Sequence, residues 1–308
     1  MPDVRMIRVL VHQGGPIDRS LSTAVLERVS AELEREPADL VVLSELALSP
    51  YFAASRASAV GSSVPVSGPE VRAAAALAGR YGVHLVLPFA EAAGRGVTFN
   101  SVALLGPDGL VPGRLVSGPR AGIATPTYRK VHLSENASAT PGVHEKYHFT
   151  PGDGFVVWDT AFGHVAPLIC YDRSFPESWR AVAAAGAEIA VVPMATSRPE
   201  RVRMLESELT VAAVQNGIFV VAACKGGSET LDGGHVAYSG GSMVVGPSGT
   251  VIDRADAGIG DVFLRAMLDP RALEEYAGTF HYARDRRPNA YLYPAPQEAA
   301  TGTEEPDA

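Results

Sequence analysis

A hydrophobic run meets a polar turn in the stretch Gly163-His164-Val165-Ala166-Pro167-Leu168-Ile169-Cys170-Tyr171-Asp172-Arg173-Ser174-Phe175-Pro176-Glu177. The pattern predicts a buried strand over 164–169, a turn over 171–174 and a helix from about Phe175, with Pro176 in its first turn. Such a junction presents a side chain at the carboxyl edge of a sheet, where α/β proteins hold their chemistry. Cys170 is therefore either a nucleophile activated by neighbouring groups or a small buried apolar residue.

Strand and helix patterns alternate along the rest of the chain. Apolar runs predict strands over 7–11, 40–43, 83–89, 155–158, 189–193 and 218–223, and hairpins over 100–116 and around 246–249. Helices are predicted over 20–36, 69–81, 178–185 and 200–216, two of them ended by Gly82 and Gly217. No Pro/Ser-rich linker divides the chain. We expect a single α/β domain over residues 1–294 and a disordered acidic tail over 295–308.

Composition restricts the class of protein. The 308 residues are 46% hydrophobic and 19% charged, which is typical of a globular protein, and the net charge of −8 argues against a nucleic-acid partner. No apolar run reaches the length of a membrane span, and the start lacks the pattern of a signal peptide. The two cysteines, Cys170 and Cys224, form no CxxC pair. We therefore expect a cytoplasmic protein.

Three more polar residues stand at the ends of apolar segments or beside them. Glu45 ends Leu40-Val41-Val42-Leu43-Ser44, Lys130 lies in Tyr128-Arg129-Lys130-Val131-His132-Leu133, and Glu145 precedes Phe149-Thr150-Pro151-Gly152. Each alone is weak evidence, because a charged residue at a strand end is usually a solvated rim residue. With Cys170 they make a possible set of base, cation and thiol.

Together these segments resemble the nitrilase superfamily of carbon–nitrogen hydrolases. The resemblance rests on three motifs in order, namely Val42-Leu43-Ser44-Glu45-Leu46 with Leu48 to Tyr51, Tyr128-Arg129-Lys130-Val131-His132-Leu133, and Leu168-Ile169-Cys170-Tyr171-Asp172. It continues through 216–223 to Arg286-Arg287-Pro288, so it covers nearly everything except the tail.

The resemblance implies a fold and an activity. The fold would be a four-layer α-β-β-α sandwich of two mixed six-stranded sheets, assembled as a homodimer or a larger even oligomer. Glu45 would be the general base, Lys130 and the backbone N–H of Tyr171 would stabilise the oxyanion, and Cys170 would be the nucleophile. Glu145 would orient Lys130 or position the hydrolytic water. The resemblance implies neither a cofactor nor a metal.

The substrate is predicted from residues around the nucleophile. An Arg at position 173 resembles the branches that hydrolyse N-carbamoyl amino acids, including β-ureidopropionases, where it binds the substrate carboxylate. The alternative for Arg173 is a structural ion pair with Asp172 or Glu177. Tyr51 and His144 are also expected at the substrate pocket, as is Ser197, although Met194-Ala195-Thr196-Ser197 departs from the turn that is more common in the family. An N-carbamoyl amino acid is therefore the first expected substrate, a small carboxamide the second, and a non-catalytic binding protein the alternative class.

A zinc-protease pattern overlaps the second glutamate. His144-Glu145-Lys146-Tyr147-His148 satisfies H-E-x-x-H, which requires both histidines on one face of a helix and a third ligand. Pro141-Gly142 and Pro151-Gly152 leave room for barely two turns between them. We interpret this match as accidental.

Overall fold

The computed structural model describes residues 5–17, 21–56, 62–136, 142–231 and 234–291, so the predicted tail at 295–308 lies outside the described residues. The helices are α1 (Ala24–Arg35), α2 (Pro69–Tyr81), α3 (Glu145–His148), α4 (Pro176–Ala184), α5 (Pro199–Asn216), α6 (Arg271–Thr279) and α7 (Tyr282–Asp285). Short 3-10 turns cover Phe52–Ala54, Cys170–Ser174 and Pro288–Tyr291. None of the helices in these ranges is long and apolar enough to span a membrane.

The described residues also form nineteen strands. They are β1 (Ile7–Gln13), β2 (Leu40–Val42), β3 (His84–Ala92), β4 (Thr98–Gly106), β5 (Gly109–Val111), β6 (Gly113–Leu115), β7 (Ala124–Thr125), β8 (Tyr128–Arg129), β9 (Glu135–Asn136), β10 (Val143–His144), β11 (Val156–Thr160), β12 (Gly163–Pro167), β13 (Ile189–Met194), β14 (Phe219–Cys224), β15 (Ser228–Leu231), β16 (Gly234–Ala237), β17 (Met243–Val245), β18 (Val251–Arg254) and β19 (Val262–Leu268).

Two mixed sheets hold most of these strands. One has the order β19-β1-β2-β3-β4-β5 with β8 paired to β4, and the other has the order β18-β17-β14-β13-β12-β11-β6-β7. In each sheet three neighbouring strands are parallel, β1-β2-β3 and β12-β13-β14, and antiparallel strands flank them. The expected count of six strands per sheet is therefore wrong, since the described sheets have seven and eight strands.

One of the extra strands arises because a predicted hairpin arm divides between the sheets. Residues 110–116 were expected to form one return strand, but β5 pairs with β4 in the first sheet and β6 pairs with β11 in the second. Pro112 lies between them and offers no N–H to a ladder. At Gly113 a Cβ atom would collide with Val156 and Trp158, so only glycine permits this close approach.

The apolar residues of the strands divide by face. Val9 and Val11 of β1 belong to a cluster that also contains Val165 and Val221 of the second sheet. Leu10, between them in sequence, belongs instead to a cluster with the buried side chains of α1 and α2. This alternation follows from the two-residue period of a strand. It packs one face of the first sheet with the second sheet and the opposite face with helices.

Helix ends agree with simple capping rules. Gly82 and Gly217 follow α2 and α5 with left-handed φ of 65° and 64°, as the sequence predicted. Pro176 is the first residue of α4, which also confirms the prediction. The 3-10 turn from Cys170 separates β12 from α4 and so places the thiol between strand and helix.

Candidate active site

Two of the predicted site residues lie at sharp backbone turns beyond parallel strands. Glu45 comes three residues after β2, and Cys170 comes three residues after β12. Cys170 has φ of 42° and Leu46, next to Glu45, has φ of 50°, both in the left-handed region that side-chain-bearing residues rarely adopt. Strain of this kind persists where surrounding contacts enforce it and is common at active sites.

The structure brings Lys130 into contact with both predicted glutamates. Its backbone N–H donates to Asn100 at 2.8 Å, and its carbonyl accepts from Gly152 at 2.8 Å, which fixes the chain just beyond β8. The ammonium donates to Glu45 Oε1 at 2.9 Å and to Glu145 Oε1 at 2.6 Å. All three side chains are at most 1% exposed. Lys130, Glu45 and Glu145 are therefore not the solvated rim residues that charged residues at strand ends usually are.

Burial and mutual charge set the protonation of this cluster. Burial alone would lower the pKa of Lys130, but the carboxylates of Glu145 and Glu45 outweigh it and raise that pKa above its usual value. Burial raises the pKa of Glu145, and the charge of Glu45 adds to the rise against the opposing effect of Lys130. The ammonium thus stays charged between two carboxyl groups that compete for it.

The two oxygens of Glu45 have different environments. Oε1 accepts from Lys130 and also from Asn100 Nδ2 at 2.8 Å. Oε2 is buried and has no hydrogen-bond partner among the described residues. An unpaired carboxylate oxygen inside a protein is costly, so this atom needs an explanation in the chemistry of the site. Sequence reasoning missed Asn100, which sits inside a strand with no motif of its own.

Cys170 is partly exposed, but its thiol lies among charged groups. Burial raises the pKa of Cys170 to about 11; Glu45 adds to the rise, while Lys130 and Arg173 oppose it. Thr196 is the second residue after β13, and its Oγ1 lies 4.0 Å from Cys170 Sγ. The predicted Ser197 is the next residue and is only half-buried. Thr196 is thus the hydroxyl that approaches the thiol.

Asp172 connects the 3-10 turn that begins at Cys170 with the segment around Lys130. Its buried carboxylate accepts from Tyr128 Oη at 2.6 Å, from the His132 backbone N–H at 2.9 Å and from the Ile169 backbone N–H at 3.1 Å. The His132 ring stacks on Phe175 with centroids 3.7 Å apart. These contacts hold the segment of Lys130 against the residue that precedes Cys170.

Tyr51 joins the cluster from the loop after Glu45. Its hydroxyl donates to Glu145 Oε1 at 3.0 Å, and burial followed by the charges of Glu145 and Glu45 raises its pKa well above the usual value. Tyr51 also belongs to a small apolar cluster, whose other members are Leu46, Phe52, Ala53, Ala90, Leu133, Phe149, Ala195, Val236 and Tyr238. Loops from several elements are thus packed together around the second glutamate.

A second buried ion pair lies behind Tyr51. Lys225 Nζ donates to Glu229 Oε1 at 3.0 Å and to the Ser49 carbonyl at 3.2 Å. Glu229 Oε2 accepts from the Tyr51 backbone N–H at 3.0 Å and from Tyr238 Oη at 2.6 Å. Sequence reasoning missed Glu229, because only tertiary contacts distinguish it from a surface glutamate.

Arg173 lies under the nucleophile, and its ion-pair partner differs from the predicted ones. Its Nε lies 3.2 Å from Glu208 Oε2 in α5, and its side chain is 2% exposed. Among the described residues neither Arg173 Nε nor Glu208 Oε2 has an aligned hydrogen bond, so the contact is an ion pair. The pairs considered with Asp172 or Glu177 do not form within the described residues, because the guanidinium turns toward α5. The Tyr171 ring is exposed and packs edge-on against Phe175.

The histidines of the H-E-x-x-H pattern have separate environments. α3 is a single turn that begins at Glu145, so His144 belongs to β10 and precedes the helix. His144 Nδ1 lies 3.1 Å from Glu135 Oε1, whereas His148 Nε2 lies 2.6 Å from the Ser55 carbonyl. A helical pair of zinc ligands is therefore not what this segment forms.

Cys224 is fully buried at the end of β14. Burial raises its pKa to about 12, and Ser242 Oγ accepts its backbone N–H at 2.8 Å. Cys224 is therefore a packed thiol in the interior of the protein.

Comparison with known proteins identifies the family of this fold and site. The model of the carbon–nitrogen hydrolase family matches residues 12–274, and the chain belongs to that family. The protein is therefore an enzyme of the nitrilase superfamily. Its two mixed sheets carry Glu45, Lys130 and Cys170 at one site.

Named relatives lie at about 30% identity. The chain is 29% identical to N-carbamoylputrescine amidase from Arabidopsis thaliana, over 89% of this chain and 90% of the relative. It is 32% identical to citrullinase from Francisella tularensis, over 72% of this chain and 74% of the relative. A carbon–nitrogen hydrolase from Helicobacter pylori G27 is similar in structure, with a TM-score of 0.79, 26% identity and coverage of 93% and 97%.

Proposed function

We propose that the chain is a thiol-dependent amidohydrolase that cleaves the carbamoyl C–N bond of a small N-carbamoyl compound. The observation that carries the proposal is the buried contact of Lys130 with both Glu45 and Glu145, beside a cysteine held at positive φ. The names of two relatives, N-carbamoylputrescine amidase and citrullinase, refer to compounds with a carbamoyl group on nitrogen. An N-carbamoyl amino acid was the substrate expected from sequence.

In the proposed mechanism Glu45 takes the thiol proton through its unpaired Oε2 while Sγ of Cys170 attacks the carbonyl carbon. Lys130 and the backbone N–H of Tyr171 stabilise the oxyanion, one such donor being worth about 3–4 kcal/mol. Glu45 then protonates the departing nitrogen, and a carbamoyl group stays on sulfur. Water attacks this intermediate, so that one carbamoyl compound and one water give amine, carbon dioxide and ammonia.

The thiol needs base assistance in this mechanism. A thiol with a pKa of about 11 is almost entirely protonated at neutral pH, so the free thiolate is scarce. In the proposed mechanism Glu45 supplies this assistance through Oε2. Glu145, held by Tyr51 and Lys130, keeps the ammonium aimed at the reacting carbonyl.

A small carboxamide is the second candidate substrate. A mutant of the Nesterenkonia AN1 amidase is similar in structure to this chain, with a TM-score of 0.69 and 26% identity. The engagement of Arg173 by Glu208 favours this candidate, because it leaves that guanidinium fewer donors for a substrate carboxylate. The chemistry at Cys170 would be the same, with ammonia as the leaving group.

A time course with both substrate classes tests the proposal. Ammonia release from either class supports an amidohydrolase, and carbon dioxide release occurs only with a carbamoyl compound. Cys170→Ala should abolish turnover. Retained turnover in this variant would overturn the mechanism. Ammonia release from the carboxamide, with no carbon dioxide released from the carbamoyl compound, would leave the carboxamide as the substrate.

The layer order and the assembly also belong to the proposal. We propose a single domain with the order helix–sheet–sheet–helix, supported by the apolar cluster that both sheets share and by the cluster of the first sheet with α1 and α2. The homodimer or larger even oligomer stays a prediction, supported by the exposed Met204 and Val211 on α5. Light scattering on the purified chain measures the assembly. The cytoplasmic location likewise stays a prediction.

A further inference from the structure

We infer that Arg173 is a positioning residue of the nucleophile turn, held in place by Glu208, and that it does not receive a substrate carboxylate. The inference rests on the proposed amidohydrolase function and narrows its substrate class. It predicts that substrates need no carboxylate, so neutral carboxamides and neutral N-carbamoyl compounds are accepted.

The first support is where the guanidinium donates. Nη1 of Arg173 donates to the Cys170 carbonyl at 2.8 Å and lies 3.8 Å from the Cys170 sulfur. The carbonyl belongs to the residue with φ of 42°, whose conformation must be enforced by its neighbours. A cation at this distance from sulfur also favours the thiolate. Arg173 is thus placed to hold both the backbone and the charge state of the nucleophile.

The second support is the group that holds Arg173. Glu208 lies on α5 and pairs with Arg173 Nε at 3.2 Å, and it also pairs with Arg201 on the same helix. Arg201 Nη2 in turn donates to Ser174 Oγ at 2.8 Å, at the end of the turn. α5 therefore contacts Arg173 and Ser174, the last two residues of the 3-10 turn, and reaches Cys170 only through Arg173. Sequence motifs around the cysteine do not reveal this, since Glu208 is 38 positions away.

The third support is burial. The Arg173 side chain is 2% exposed and the Glu208 side chain 18% exposed, so the pair faces protein more than solvent. A substrate carboxylate would have to displace Glu208 or share the guanidinium with it. Sharing would require further donors from a guanidinium that already contacts the Cys170 carbonyl and Glu208.

The experiment compares Arg173→Met with the wild type in two assays. The first is alkylation of Cys170 by iodoacetamide without substrate, followed from pH 7 to 10, with Cys170→Ala as background. We expect Arg173→Met to lower the rate at neutral pH about 10-fold, as an increase of one unit in the thiol pKa would do. The second assay is steady-state turnover of a carboxylate-bearing ureido compound and of a neutral carboxamide. We expect kcat to fall by the same factor for both.

A role in carboxylate binding would give a different result. Arg173→Met would then raise KM for the carboxylate substrate alone and leave alkylation and carboxamide turnover unchanged, which would overturn the inference. The alkylation assay needs no substrate, so it decides the role of Arg173 even if the proposed function fails on both compounds.

Further variants test the role of Arg173 even if Arg173→Met does not fold. Glu208→Gln keeps an acceptor but removes the ion pair, so kcat for both substrates should fall by a smaller factor than in Arg173→Met. Arg173→Lys keeps the charge and should restore part of the alkylation rate but not the full kcat. Glu206→Gln is the matched control on the same helix, because Glu206 pairs with Arg254 at the surface. Wild-type values in both Glu208→Gln and Arg173→Lys would contradict the inference.

Discussion

The backbone N–H of Tyr51 donates to Glu229 Oε2 at 3.0 Å in the interior of the protein. Because the Tyr51 hydroxyl also donates to Glu145, one residue connects two buried ion pairs, Lys225–Glu229 and Lys130–Glu145. The loop between Glu45 and α2 is therefore fixed at Tyr51 from both ends of that residue. The position of Tyr51 at the site therefore depends on Glu229, a carboxylate outside the three motifs found in the sequence.

Replacing Glu229 should destabilise the protein. In Glu229→Gln the ammonium of Lys225 stays buried without its counter-charge, which costs about 3–5 kcal/mol of unfolding free energy. The double variant Lys225→Met/Glu229→Gln should recover most of the loss, since no buried charge is left. Urea denaturation measures both. Arg120→Gln, which breaks the exposed pair with Asp153, should change the unfolding free energy by less than about 1 kcal/mol. Equal effects of Glu229→Gln and Arg120→Gln would contradict this prediction.

Asn100 should be required for full activity although it lies in a strand. Asn100→Ala removes the second donor to Glu45 Oε1, and hydrogen bonds to charged groups contribute about 1.5–3 kcal/mol, so kcat should fall roughly 10- to 100-fold. Asn100→Asp adds a like charge beside Glu45 and should be worse. Steady-state kinetics with either substrate class measures this. An Asn100→Asp variant more active than Asn100→Ala would show that the amide donor is not what matters.

Neutralising Glu45 should affect thiol reactivity and turnover in opposite directions. The pKa of Cys170 is raised to about 11, first by burial and then by the charge of Glu45. Below pH 11 the thiolate fraction of the wild type rises about tenfold per pH unit. In Glu45→Gln the pKa falls, so iodoacetamide should react faster at pH 8 while hydrolysis is lost. Slower alkylation in this variant would mean that Glu45 also deprotonates the resting thiol.

Glu91 should contribute a pH-dependent part of the stability. Burial alone would raise its pKa, but hydrogen bonds from Arg129 and Ser101 outweigh it and lower the pKa below 4.5. A lowered carboxyl pKa stabilises the fold above the unfolded value and the contribution is lost as the pH falls through the folded value. Glu91→Gln should therefore lose stability at pH 7 and differ less from the wild type at pH 3. Urea unfolding at the two pH values measures it, and an unchanged gap between the proteins would refute the assignment.

The strand–helix alternation was predictable because apolar periodicity and glycine caps are local signals. Glu45, Lys130 and Cys170 were singled out because the three motifs around them resemble those of one family, since a position at the end of an apolar segment is weak evidence by itself. The contacts that complete the site join distant positions. Asn100 reaches Glu45, Glu208 reaches Arg173 and Glu229 reaches Tyr51 only in the folded chain. The division of one predicted strand at Pro112 also depends on packing against Trp158, which no local pattern encodes.

The pairing of β19 with β1 has a consequence for synthesis. Seven residues of the first strand, from Ile7 to Gln13, pair with residues 262–268 near the other end of the described chain. A nascent chain that has not yet reached residue 262 therefore exposes the unpaired edge of β1, and such edges promote aggregation. Truncation before this point should yield insoluble protein, even though Glu45, Lys130 and Cys170 would all be present in it.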